Sequence, residues 1–299
     1  MMDRLQAMNV FLSTVEAGSL SAAGRKLGMP LATVSRNLSE LEAHLKARLL
    51  NRSTRGLALT DAGRDYLAAC KRILEDVGEA ERTVAGEFSE PRGELVITAP
   101  IVFGRIHVLP VLVDFLAAYP EVDVRLVQGD RVLHLLDEHV DLAVRIGALP
   151  DSRLIATRLG ATRRTVCASP AYLAAHGVPD TPAQLGDHRC ISFEAMSAAE
   201  SWRFPANGTE INVPMHSRLV VNTAEAAINA AIAGAGLTRV LCYQIDRAER
   251  SGQLQRVLRD FEPAALPISL VHAGQRRLPL KLRAFLDFAT PRLRERLAR

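Results

Sequence analysis

Along the first part of the chain apolar residues recur at three- and four-residue intervals, and beyond Glu94 they change to short runs separated by polar and small residues. Leu5, Met8, Leu12 and Val15 predict one stripe of a helix that Gly18 can end. A short second helix follows: Ser21 is placed to cap it, Ala22, Ala23 and Leu27 supply its buried side, and Gly28 closes it. After Met29-Pro30-Leu31, a third helix turns Val34, Leu38, Leu41 and Leu45 inward, which leaves Ala32, Thr33, Arg36 and Asn37 facing outward near its start. LLNRSTRGLALT then sets Arg52 and Arg55 among small polar residues before alternating Leu57 and Leu59, the pattern of a short basic hairpin or wing. Thr60 can cap a long helix to about Glu87, where Leu67, Cys70, Leu74, Val77 and Val84 keep a heptad seam broken by Glu81. Such a seam packs on its own domain or, the arrangement expected here, on the same helix of a second subunit.

SEPRG, with Pro91 and Gly93, reads as a hinge. Beyond it come ELVITAP, a helix around Arg105 to Ala118, VDVRLVQG, a helix near Arg131 to Glu138, and VDLAVRIG. That alternation predicts a mostly parallel sheet with helices on its faces. A second α/β unit runs from about Arg163 to Pro263, with TVCAS, CISF, a polar hairpin region around Trp202, RLVVN and a helix from near Thr223. LPISLVHA and the last helix, KLRAFLDF, return to the first unit, so two lobes with crossing connections enclose a cleft. Ligands of such sheets sit at the carboxyl ends of strands, which nominates Thr98, Pro100, Gln128, Gly129, Ile146 and Gly147. Each also has a plain reading; Thr98 can simply end a strand.

The 299 residues, 48% hydrophobic and 23% charged, suit a globular protein of two or three domains, and the net charge of +4 does not by itself argue for nucleic acid. Distribution changes the picture. Up to Arg55 the cations Arg4, Arg25, Lys26, Arg36, Lys46, Arg48, Arg52 and Arg55 face only Asp3, Glu16, Glu40 and Glu42, an excess that suits a phosphate-facing surface. Cys70, Cys167, Cys190 and Cys242 are dispersed, without zinc or disulfide spacing. His188 near Cys190 is a weak metal pair, and GAGLTR, with Gly234 and Gly236, follows a helix and so reads as a turn rather than a dinucleotide fingerprint. There is no nucleophile elbow, P-loop or zinc-protease motif. The polar N-terminus is unlike a signal peptide, and HVLPVLVDFLAAYP is interrupted by Asp114 and prolines, so no membrane span and a cytoplasmic setting are expected.

The start of a third helix is the part of a helix-turn-helix that enters the major groove, where Arg36 could reach a guanine edge or a phosphate. Spacing alone fits a three-helix interaction module equally well; the basic wing favours DNA. The continuous stretch FLSTVEAGSLSAAGRKLGMPLATVSRNLSELEAHLKARLLNRSTRGLALTDAG resembles the N-terminal domain of LysR-type regulators. The resemblance assigns base reading to Ala32, Thr33, Ser35 and Arg36, and backbone or minor-groove contacts to Arg52, Thr54 and Arg55. Three positions depart from the common pattern: Pro30 stands where a serine cap is usual, Asn37 where glutamine is usual and Leu50 where phenylalanine is usual.

The two-lobed remainder is similar to the effector domain of LysR-type regulators and to periplasmic solute-binding proteins. The family implies a small-molecule site between the lobes, extending the nominated lining to Phe193, Asn222, Thr223 and Thr238. Thr223 can equally be only a helix cap, although the N–H groups there would suit an anion, which Arg145 could pair with. The expected organisation is a winged helix-turn-helix over residues 1–59, a linker helix and hinge over 60–90, and an α/β, periplasmic-binding-protein-like effector domain over 91–299. Its lobe I spans about 91–162 and 264–299 and its lobe II about 163–263. The expected function is a transcription regulator without cofactor, metal or catalytic residues. Its expected partners are promoter DNA, a small effector such as an organic anion, a second copy in a dimer or tetramer, and RNA polymerase. An enzyme on the two-lobed fold and a solute-binding protein are the alternatives; the first needs acid–base groups converging on the cleft, the second an export signal and no basic winged module.

Overall fold

The computed structural model describes residues 3–53, 56–84, 90–131, 140–149, 154–193, 201–206, 209–274 and 278–298, and the chain divides into two units, Met1–Gly93 and Glu94–Arg299. The first unit contains α1 (Arg4–Ala17), α2 (Leu20–Leu27), α3 (Leu31–Leu45), a hairpin of β1 (Leu50–Ser53) and β2 (Gly56–Leu59), and the long α4 (Asp61–Val84). Helix α1 buries Ala7, Val10, Phe11 and Thr14, a face rotated from the expected stripe, and Leu5 stays 42% exposed. The cause is close packing: α1 touches α2, α3 and α4, and small or self-satisfied side chains fit there, Thr14 Oγ1 donating to the Val10 carbonyl at 2.7 Å. Ser19, not Ser21, caps α2, accepting the Ala22 N–H at 3.2 Å, because the helix already begins at Leu20.

Val34, Leu38 and Leu41 of α3 point inward. Val34 meets Val10 and Ala23 in one cluster, while Leu38 and Leu41 meet Phe11, Leu49 and Cys70 in another. A Cβ on Gly24 would lie 2.8 Å from the Met29 carbonyl, so the tight α2–turn–α3 passage needs glycine there. The wing is held from below: the Glu42 carboxylate accepts the N–H groups of Leu49 and Leu50 at 2.8 and 3.1 Å. The Thr60 hydroxyl donates to the Arg48 carbonyl at 2.6 Å and accepts the Gly63 N–H at 2.9 Å, capping α4. Cys70 is fully buried with Tyr66 and Leu67 packed on its cluster, so the first part of the expected intersubunit seam is used inside its own unit. Leu74 and Val77 remain half-buried. The expected extension to Glu87 falls on 85–89, and the helix expected near Arg131 to Glu138 on 132–139, both outside the described residues.

In the second unit β3 (Gly93–Ala99) leads into α5 (Ile101–Phe103), a π turn (Gly104–Val108) and α6 (Leu109–Ala118), a helical stretch beginning four residues before the expected Arg105. Next come β4 (Val122–Gln128), β5 (Leu142–Ile146) and β6 (Leu154–Thr162). The chain then crosses to lobe II, with β7 (Arg164–Ala168), α7 (Pro170–His176), β8 (Arg189–Phe193), β9 (Ser201–Ala206), β10 (Thr209–Pro214), β11 (His216–Val221), α8 (Ala224–Ile232), β12 (Leu237–Leu241), α9 (Cys242–Arg250) and β13 (Gln255–Val257). It returns as β14 (Leu266–Ala273) and α10 (Leu280–Ala298).

The lobe sheets have orders β4-β3-β5-β14-β6 and β11-β8-β12-β7-β13. They are mixed rather than mostly parallel. β3 and β5 are parallel, as are β8 and its neighbours β11 and β12. The strands next to the crossings run the other way: β14 is antiparallel to β5 and β6, and β7 to β12 and β13.

Lobe I centres on Leu95, Phe103, Phe115, Leu270 and Phe285; lobe II has one cluster around Tyr172, Trp202 and Phe204 and another around Ile191, Ala227 and Ile245. The stretch Ile101–Ala118 is long and apolar enough by length and composition to cross a bilayer, contrary to the expectation that Asp114 and the prolines prevent it, since Pro110 is accommodated in the first turn of α6. Its inward residues Phe103, Val108, Val111, Leu112 and Phe115 are spent on the lobe I core.

Gly63 generates a prediction of sign. Glycine to alanine inside a helix ordinarily stabilises by about 1 kcal/mol, but here an added Cβ would collide with the Leu49 carbonyl. Gly63→Ala is therefore expected to destabilise by about 1–3 kcal/mol in urea unfolding followed by circular dichroism; an increase in stability would refute the close approach of α4 to the wing.

Candidate functional site

In the first unit the start of α3 presents Ala32 and Arg36 to solvent, with Thr33, Ser35 and Asn37 half-buried. Pro30 forms the N-cap without a side-chain hydrogen bond, and its carbonyl accepts the Thr33 and Val34 N–H groups at 2.9 and 3.1 Å. Arg36 is 70% exposed and 3.9 Å from Glu40, a solvated i,i+4 pair worth roughly 0.3–0.5 kcal/mol, which a stronger hydrogen-bonding partner would readily displace. Leu31, 51% exposed at the same end, escaped the sequence reading; it offers apolar contact of the kind a thymine methyl group makes. In the hairpin Arg52 stands opposite Leu57. The Arg52 side chain, Thr54 and Arg55 lie outside the described residues.

In the second unit a cleft of about 140 Å³ opens where residues of both lobes meet. Thr98, Pro100, Gly129, Ile146 and Phe193, all nominated from sequence, line it, as does Arg145. Gln128, Gly147, Asn222, Thr223 and Thr238 are not among its lining residues. Gln128 is exposed at the end of β4, Gly147 donates to the Pro267 carbonyl at 2.9 Å and Asn222 is exposed just before α8. Thr223 caps α8 by accepting the Ala226 N–H at 3.2 Å, and Thr238 is fully buried, donating to the Ile191 carbonyl at 3.2 Å.

Asp130, Arg164 and Tyr243, which the sequence reading missed, carry the cleft's chemistry. Asp130 Oδ1 accepts the Ile101 N–H at 3.1 Å, while its Oδ2 is buried without a hydrogen-bond partner. Burial pushes this carboxyl above its ordinary range; the Ile101 N–H opposes the shift and the Glu225 charge adds to it. Arg164 Nε is likewise buried and unpartnered, with burial first, then Arg203, weakening its hold on the proton. The Tyr243 hydroxyl is buried without a well-formed hydrogen bond, although Gln244 lies beside it. Burial and then the Asp130 charge push it up, and its ring stands edge-on to Phe103 at 5.6 Å. An unsatisfied buried polar atom costs about 1–3 kcal/mol, so three lining one cleft form a site to which a polar ligand can return lost hydrogen bonds. Asp130 follows Gly129 at a strand end, so the strand-end rule extended by one residue finds it. Arg164 follows the first crossing between lobes and Tyr243 sits in the first turn of α9, and neither carries a local signal.

Arg105, in the π turn, pairs with Glu225 of α8 at 2.6 Å, an ion pair between lobes. Away from the cleft, His188 Nδ1 lies 3.3 Å from the Tyr172 hydroxyl, burial lowering its proton affinity first and the His176 charge second. Among the described residues no group of three metal-ligand types converges.

Comparison with known proteins gives two family matches: residues 5–64 match the bacterial regulatory helix-turn-helix protein family of lysR type, and residues 88–294 the LysR substrate binding domain. An HTH-type transcriptional regulator of Xanthomonas campestris is 38% identical over 95% of this chain and 84% of its own length. An HTH-type transcriptional repressor of Pseudomonas aeruginosa is 35% identical over 96% and 91%. The structure of CrgA, a LysR-type transcriptional regulator from Neisseria meningitidis, superposes with TM-score 0.62 at 30% identity, covering 96% of this chain and 98% of that one.

The Asp130 environment predicts a pH-dependent gain on substitution. A carboxyl whose folded pKa is raised contributes stability below its unfolded pKa, and that contribution is lost as pH rises through the folded value. At pH 7 the ionised form is thus the less favourable one. Asp130→Asn, which keeps an acceptor for Ile101, is expected to raise Tm by about 1–3 °C at neutral pH, with the gain vanishing below the ordinary carboxylate value of 3.8. A thermal-shift series showing no gain, or a gain persisting in acid, would remove the assignment.

Proposed function

Because the chain belongs to the LysR family of bacterial helix-turn-helix transcriptional regulators, we propose residue roles for the two activities that define it. It is a sequence-specific DNA-binding regulator whose promoter binding responds to a small-molecule effector. LysR regulators bind promoter DNA and small effectors and form oligomers. Residues 1–59 form the DNA-binding module, 60–90 the linker and 91–299 the effector domain. Ala32, Thr33, Ser35 and Arg36 read bases from the start of α3, and Arg52, Thr54 and Arg55 hold phosphates or the minor groove. The exposed, cap-free N-terminal half of α3 is the observation that supports this reading.

The linker helix pairs with its counterpart in a second subunit through the half-buried part of its seam, from Leu74 onward, so that two α3 helices address the halves of an interrupted palindrome. A dimer of dimers extends the same arrangement. An organic anion occupies the cleft of the effector domain, against Thr98, Pro100, Gly129, Ile146 and Phe193, and binding alters DNA bending or contact with RNA polymerase in the cytoplasm. Such coupling requires the effector to favour one arrangement of the lobes over another.

The test is gel-shift binding to the intergenic DNA beside the protein's own gene, at stated salt and against unrelated competitor. Selective retention supports the promoter assignment; equal competition by unrelated DNA at every salt concentration overturns it. On the selected site Arg36→Ala is expected to lose about 1–3 kcal/mol and relax base preference. Arg55→Ala is expected to weaken all sequences alike and flatten the salt dependence by about one unit of slope. Wild-type isotherms for both variants across the salt series would cancel the two roles.

A further inference from the structure

The cleft's unpartnered atoms differ in kind. Arg164 Nε can only donate, ionised Asp130 Oδ2 can only accept, and the Tyr243 hydroxyl does either. They also differ in place. Asp130 follows β4 in lobe I, while Arg164 opens β7 and Tyr243 lies in α9, both in lobe II. Asp130 and Tyr243 are close enough for the carboxylate's charge to act on the phenol. The charges acting on Arg164 are those of Arg203 and Glu210. The cleft thus offers Asp130 and Tyr243 as one polar pair and Arg164 as a separate donor, with Phe193, Ile146 and Leu266 in its apolar lining and Arg131, Arg145 and Gln244 completing the polar lining.

Its 140 Å³ compares with an engineered cavity of roughly 150 Å³ that accepts one benzene-sized molecule, so the occupant is compact. A simple carboxylate answers Arg164 but leaves Asp130 Oδ2 unpaired and adds a like charge to the same cleft. A simple alcohol or amine leaves Arg164 unanswered.

Resting on the effector reading above, we infer that the effector is a compact carboxylate carrying a second, hydrogen-bond-donating group, its carboxylate on Arg164 and its hydroxyl or amine on Asp130 and Tyr243. Such a molecule ties lobe II to lobe I and favours the arrangement in which both ends are engaged. A ligand with one polar group holds one lobe and has little purchase on the equilibrium between arrangements. The donor is therefore the part of the effector that carries the signal, and the carboxylate the part that carries affinity common to all acids.

The test uses the full chain and matched acids: benzoate with its hydroxy and amino derivatives, propionate with lactate and alanine, and butyrate with 3-hydroxybutyrate and 4-aminobutyrate. Calorimetry reads binding, and gel shift on the selected promoter fragment reads the response. In at least one set the donor-bearing acid is expected to bind about 10–100-fold more tightly than its parent, the worth of one hydrogen bond to a charged group, and it alone changes the DNA complex. Asp130→Asn is expected to erase that preference and Arg164→Gln to weaken parent and derivative by the same factor. Tyr243→Phe, expected to reduce the preference, carries the comparison if the Asp130 variant does not fold.

Equal binding of parents and derivatives to the wild type overturns the donor assignment, while loss of that binding in Arg164→Gln would leave the organic-anion reading standing. A donor preference untouched by Asp130→Asn and Tyr243→Phe overturns the placement. If no acid in any set binds, both this inference and the organic-anion reading fall.

Discussion

Val102 and Phe103 are neighbours in the chain yet serve different hydrophobic cores. Phe103 packs with Leu95 and Phe115 in lobe I, and Val102 with Ile191 and Ala227 in lobe II. A fully buried valine or phenylalanine is worth about 1.5–3 kcal/mol, so drawing the lobes apart costs at least one such residue. The helical stretch that carries the pair starts at the cleft, where Asp130 holds the Ile101 N–H, and continues through the π turn to the Arg105–Glu225 ion pair. Tyr243 packs against both cores as well. The Ile101–Val108 stretch is thereby shared by both lobes and borders the cleft.

The two units use arginine in physically opposite ways. Arg36 sits in water, where its attraction for an anion is weak and salt-screened. Arg164 and Arg239 lie on adjacent strands, β7 and β12, and Arg239 is 8% exposed, stacked 5.2 Å from the Phe204 ring. Burial lowers the proton affinity of both, and in so poorly solvated a setting a pairing anion is held far more firmly than at the surface. Salt therefore weakens an anion's hold on a guanidinium such as that of Arg36 much more than on the buried pair.

Legibility followed the strength of the local pattern. In α3, Val34, Leu38 and Leu41 are large, regularly spaced and backed by one packing partner after another, so the inward face and its exposed complement could be read directly. In α1 the stripe of Leu5, Met8, Leu12 and Val15 marks the wrong sector, because the face that meets three other helices carries Ala7 and Thr14 beside Val10 and Phe11. The strand alternation pointed to a two-lobed α/β domain, but not to the direction of strands adjoining a crossing, which depends on the path of the chain through the other lobe. Thr98 and Ile146 lie at strand ends and Gly129 directly after one, so the strand-end rule nominated all three, and all three line the cleft. Thr223 caps its own helix and Thr238 donates to the adjacent strand's Ile191 carbonyl, the plain roles open to any threonine, whereas Arg164 and Tyr243 gain their meaning only from three-dimensional convergence.

The order of manufacture follows from the placement of β14. This strand lies between β5 and β6 in the lobe I sheet, yet it is made only after all of lobe II. During synthesis the N-terminal unit emerges first and lobe II second, while lobe I must wait for its inner strand and for the helix over Leu280–Ala298 that closes its core. Until Leu266–Ala273 has been made, β5 and β6 lack the partner that joins them. A nascent or prematurely terminated chain would thus carry a DNA-binding module with no finished sensor, a product that cellular proteases have good physical reason to recognise.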